Sequence, residues 1–113
     1  MKKRFDYTFT VSLILLGSIH VILTPVFYKT LDTGALWFAG TGLAFVFLGI
    51  INVYRIRTKE KATRVLCAIA NGVANVYCIL IVIKLAEPQA YISLVVLLVL
   101  FVFSLMDLGR YKK

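Results

Sequence analysis

The stretch VLCAIANGVANVYCILIVI, residues 65–83, decides the fold. It carries no ionised side chain and is closed on either side by Arg64 and Lys84. A helix of about 20 apolar residues, rising about 1.5 Å per residue, crosses a hydrocarbon core of about 30 Å. Three more stretches meet the same condition, 9–28, 36–54 and 89–106. No water reaches the bilayer core, so backbone N–H and C=O groups must pair within the segment. Helices do this, and the period-2 alternation of a membrane barrel is absent. The expectation is an all-α, four-helix transmembrane bundle forming one domain over residues 1–113.

Composition agrees with the spans. Hydrophobic residues make up 61% of the chain and charged ones 16%, against roughly half and a quarter in globular domains. Mean hydropathy is +0.92. A water-soluble domain and a disordered chain are both excluded by these values. Met1-Lys2-Lys3-Arg4 imitates the basic start of a signal peptide. The apolar run behind it is too long, however, and ends Thr24-Pro25-Val26-Phe27-Tyr28 without a small-x-small site, so the first segment reads as an uncleaved helix.

A net charge of +8 raises the question of nucleic acid, and its distribution answers it. Lys2, Lys3 and Arg4 precede the first span. Arg55, Arg57, Lys59, Lys61 and Arg64 fill the central loop, read as 55–64, and Arg110, Lys112 and Lys113 follow the last span. Only Lys29 and Lys84 fall on the other side. Basic loops stay in the cytoplasm, so an N-in, C-in protein of the plasma membrane is expected. Anionic lipid headgroups are the partners of these charges, and no nucleic acid is expected. Tyr7, Tyr28, Trp37, Tyr54, Tyr91 and Tyr111 fall near the expected membrane surfaces, where amphipathic rings settle. A shift of 55 residues also lays Gly17 on Gly72, Lys29 on Lys84 and Asn52 on Asp107, which suggests two related hairpins.

Small residues locate helix contacts in lipid, because close packing drives association there. Gly17, Gly40, Gly42, Gly49 and Gly72 are the candidate packing positions. The small residues of the second and third spans place those two helices at the tight centre. The fourth span, almost wholly large and aliphatic, reads as peripheral. Polar residues mark a candidate site. Cys67, Asn71, Asn75 and Cys78 share one face of the third span, and Gly17, His20, Thr24 and Tyr28 share one face of the first. His20 and Asn75 both lie about 15 Å deep. An intramembrane polar group is a functional candidate by default, so a pocket of His20, Asn71, Asn75, Tyr77 and Thr41 is one reading. The other makes His20 a neutral, hydrogen-bonded joint between helices. Pro25 predicts a kink or a helix end beside His20.

No catalytic residue set, metal-ligand spacing or cofactor motif emerges. The five acids, Asp6, Asp32, Glu60, Glu87 and Asp107, are read outside the spans or at their edges. Cys67 and Cys78 lie too far apart on one helix to bridge. Two functions remain. The first is an accessory or interaction protein of the regulatory or immunity type, packing with a membrane-protein partner or as a homo-oligomer. The second is a binder or carrier of a small, mostly apolar molecule around His20 and Asn75, with proton coupling as an option.

Overall fold

The computed structural model of the chain describes residues 2–109. Arg110, Tyr111, Lys112 and Lys113, part of the charge pattern above, lie outside the described residues. Four helices run in order, α1 (Lys2–Phe27), α2 (Thr33–Arg57), α3 (Lys61–Leu85) and α4 (Pro88–Gly109). All four are long and apolar enough to cross a membrane. Helices of this length reach about 33–39 Å. Each is therefore longer than a hydrocarbon core of about 30 Å.

Local chemistry sets the helix ends. Asp32 caps α2, its side chain accepting from the Ala35 N–H at 2.9 Å. Arg55 and Arg57 occupy the last turn of α2, where cations oppose the negative end of the helix dipole. α3 closes on Ala86, the one described non-glycine residue at positive φ (49°), and Pro88, which lacks an N–H to lose, opens α4. The central connection is far shorter than the loop read from the sequence: only residues 58–60 separate α2 from α3. α1 runs through Pro25 to Phe27, so the proline does not end the helix.

The sequence places the tight centre between the second and third helices, and the structure places it elsewhere. α1 packs closely against α2, and α3 against α4; α1 also meets α4, and the α2–α3 contact is the slightest of the four. The chain is thus two hairpins laid side by side. Gly17 and Gly42 bring α1 and α2 together. A Cβ on Gly42 would stand 2.6 Å from the Gly17 carbonyl oxygen, and one on Gly17 would strike the Gly42 carbonyl. Gly49 gives way to Ile14 in the same seam, and Gly72 faces the Phe101 ring of α4. Gly40 has no such role: it is exposed, and a Cβ there would meet nothing within 4 Å.

α4 is likewise not peripheral. Ala90, Ser93, Leu97, Leu100, Ser104 and Asp107 are all buried, at steps of three, four, three, four and three. Asp6, Thr10, Leu13, Gly17, His20 and Thr24 form the matching seam of α1. These 3–4 steps mark the contact stripe of a bundle of nearly aligned helices. The outward faces carry Ile22, Val26, Leu66, Val73, Val76 and Ile83, each more than 60% exposed. Polar residues are buried alongside an apolar cluster of Leu13, Phe45, Leu48, Leu97 and Leu100, while the outward faces are aliphatic, unlike the polar surface of a water-soluble bundle. Such a surface suits a hydrocarbon solvent.

Candidate functional site

Two polar regions occupy opposite ends of the bundle. At the end holding the start of α1 and the end of α4, Arg55 is completely buried. Its guanidinium grips Asp6 bidentately, at 2.9 and 2.6 Å. It also donates to Asp107 at 2.5 Å and, through Nε, to the Asn52 side-chain oxygen at 3.1 Å. Asn52 and Asn71 exchange amide hydrogen bonds at 3.0 Å in both directions. Asn71 further donates to Ser104 at 2.5 Å, and Ser104 to the Leu100 carbonyl at 2.8 Å. Each helix contributes: Asp6 from α1, Asn52 and Arg55 from α2, Asn71 from α3, Ser104 and Asp107 from α4. Arg64 donates to the Asp107 backbone carbonyl at 3.2 Å, which sets a second cation beside the two carboxylates.

The sequence reading assigned Arg55 to a loop and all acids to the margins of the spans. Asp6, Arg55 and Asp107 instead lie within the helices, 0–6% exposed. A charged group so enclosed is tolerable only when paired and fully hydrogen-bonded, and this one is. The signal was legible. The stripe through His20 and Gly17 continues by steps of three and four to Leu13, Thr10 and Asp6, and Asn52 precedes Arg55 by three.

At the opposite end the four helix termini part around a cavity of about 630 Å³. His20 stands at its deep end, stacked on Phe38 at 4.7 Å between centroids and edge-on to Phe45 at 5.9 Å. Its Nδ1 lies 2.9 Å from the Leu16 carbonyl oxygen, an acceptor only. In the neutral ring the proton therefore sits on Nδ1, and Nε2 keeps its lone pair. Thr41 and Tyr77 line the same space, with Trp37 and Tyr28 nearer the rim.

Three of the five expected pocket residues thus meet in one cavity: His20, Thr41 and Tyr77. Asn71 belongs to the arginine cluster at the other end. Asn75 lies between, donating both amide protons, to the Asn71 carbonyl at 2.8 Å and the Leu97 carbonyl at 3.0 Å. Its side-chain oxygen is buried without a partner, and the residue forms part of an apolar groove between α3 and α4. No hydrogen bond joins His20 to Asn75; the contacts of His20 are to its own helix and to α2. Sequence reasoning read Trp37 only as a ring at the membrane surface and omitted Phe38 and Phe45, because a phenylalanine within a span carries no signal of its own.

Cys67 and Cys78 are free and buried. Comparison with protein-family models, with curated protein sequences and with solved structures finds no match to this chain.

Proposed function

We propose that this chain is a multi-pass protein of the plasma membrane, with both termini cytoplasmic, that binds a small, mostly apolar molecule in the cavity at its outer end. The observation that carries the reading is the cavity itself. Ligand sites are concave, about 300–1,000 Å³, mostly apolar and furnished with a few placed polar groups. A space of about 630 Å³ walled by Phe38, Phe45 and Trp37, with His20 and Thr41 among them, fits that description. The orientation rests on charge. Asp6, Arg55 and Asp107 in contact hold both chain ends and the α2–α3 connection at one end of the bundle. That end carries the basic residues, which makes it the cytoplasmic one, and the cavity then faces outward.

Four of the five candidate packing glycines, part of the case for an interaction protein, are consumed within the chain, Gly17, Gly42 and Gly49 in the α1–α2 seam and Gly72 against Phe101, and Gly40 lies exposed. One observation still favours that second reading. The side-chain oxygen of Asn75 has no partner within the chain, and Asn75 helps to line the α3–α4 groove on which a partner helix would seat. A second Asn75 does not serve, because its amide protons are already used.

Native mass spectrometry of the protein released gently from its own membrane separates the readings. Binding at the cavity predicts a retained small molecule that His20→Leu removes and Asn75→Leu leaves in place. A ligand-free complex with another membrane protein, lost on Asn75→Leu, overturns it in favour of the interaction protein.

A further inference from the structure

Several polar groups around the outer cavity have already spent their protons within the chain. Thr41 donates its hydroxyl to the Trp37 carbonyl at 2.9 Å, and Ser93 donates to the Gln89 carbonyl at 2.8 Å. His20 engages the Leu16 carbonyl through Nδ1, and Gln89 donates to the Glu87 carboxylate. Toward a ligand these groups therefore present lone pairs: the hydroxyl oxygens of Thr41 and Ser93, Nε2 of His20 and the Glu87 carboxylate. Donors also remain: the Trp37 indole and the Tyr77 hydroxyl on residues 64% and 44% exposed, the hydroxyl of the half-buried Tyr28 and the second amide proton of the exposed Gln89. Water and headgroups compete for those on the exposed residues.

The walls point the same way. Phe38 and Phe45 flank His20, with Trp37 and Tyr28 toward the rim, and aromatic faces attract cations through their quadrupoles. Glu87 is the only formally charged residue lining the cavity; Lys29 and Lys84 lie at the same end of the chain's spans but do not line it. Helix dipoles do not reverse this balance. Two N-termini, of α2 and α4, and two C-termini, of α1 and α3, meet at this end, so their partial charges offset one another. Asp32 moreover already caps α2.

We infer that the ligand is an organic cation: an apolar body carrying a protonated amine, its N–H groups directed to the Glu87 carboxylate and the hydroxyl lone pairs and its charge against the aromatic rings. This rests on the outer cavity being a ligand site and adds the class of ligand.

Trp37 is the only tryptophan in the chain and lines the cavity, so its emission reports occupancy. The full chain in nanodiscs of zwitterionic lipid is titrated with three probes of one shape: 4-phenylbutylammonium, 4-phenylbutanol and 4-phenylbutyrate. The expected result is a saturable Trp37 response to the ammonium, about tenfold or more tighter than to the alcohol, and none to the carboxylate. Glu87→Gln, an exposed position outside the helix seams, should remove most of that preference and leave the alcohol's affinity as it was. Equal affinity for ammonium and alcohol overturns the cation assignment while leaving the cavity as a binding site, and a preference that survives in Glu87→Gln overturns the part given to the Glu87 carboxylate. The absence of a saturable response to all three overturns both.

Discussion

Replacing Arg55 by methionine removes a cation that Asp6 and Asp107 share inside the bundle. The substitution keeps the apolar bulk of the stem but leaves the space of the buried guanidinium unfilled, so a cavity cost adds to the electrostatic one. Four donated hydrogen bonds disappear, two to Asp6, one to Asp107 and one to Asn52, and two buried carboxylates lose their compensating charge. Removing one partner of a buried ion pair costs about 3–5 kcal/mol, a factor of roughly 10²–10⁴ in the folded population. Asp6→Asn is a sharper comparison than it looks. It leaves Arg55 paired with Asp107 and keeps one amide oxygen that accepts from the guanidinium, but the amide nitrogen replaces the second acceptor with a donor, so about 1–3 kcal/mol is expected. The triple variant Asp6→Leu, Arg55→Met, Asp107→Leu removes every charge at once. It should recover much of the loss, as apolar replacement of buried ion clusters does. Unfolding in mixed micelles by titration with dodecyl sulfate, followed by helical circular dichroism, measures all three. An Arg55→Met protein within about 1 kcal/mol of the parent, or a triple variant less stable than the single one, refutes the reasoning.

The same unfolding assay tests the α1–α2 seam. Gly42→Ala, whose Cβ would press on the Gly17 carbonyl at 2.6 Å, should cost about 1–3 kcal/mol by overpacking. Gly40→Ala, into open space, should gain up to about 1 kcal/mol from helix propensity. Asn75→Leu loses two amide hydrogen bonds but also relieves a buried unpartnered oxygen, so a change below about 1 kcal/mol is expected in the same titration. Orientation is checked by cysteines introduced at Thr30 and Lys59 in intact cells: a membrane-impermeant maleimide should label Thr30→Cys and not Lys59→Cys, and the reverse pattern inverts the topology.

The length of the apolar runs was enough to predict four helices, because a bilayer demands about 20 residues per crossing whatever the neighbours are. The buried face of α3 was equally legible: Cys67, Asn71, Asn75 and Cys78 are all buried, at the spacing of one helical stripe. In lipid a polar residue is the one that must turn inward, so polarity serves as the periodic signal that hydrophobicity supplies in water. Helix pairing was not legible. Gly40 and Gly42 look alike as text, yet one is open and the other crosses Gly17, because only the rotation of α2 about its axis sets which of them faces α1.

The arginine cluster shows the same division. Sequence determined that Asp6, Arg55 and Asp107 were charged and close to span ends, and hydropathy windows stop where charge begins, so it placed them in the headgroups. Only the tertiary structure decided that they lie within the helices and meet, through pairs 49 and 52 residues apart. The cavity at the other end of the bundle likewise draws His20, Phe38 and Tyr77 from three helices. Local sequence controls which groups are costly to leave in hydrocarbon, whereas the partner that relieves that cost comes from another helix, and packing alone selects it.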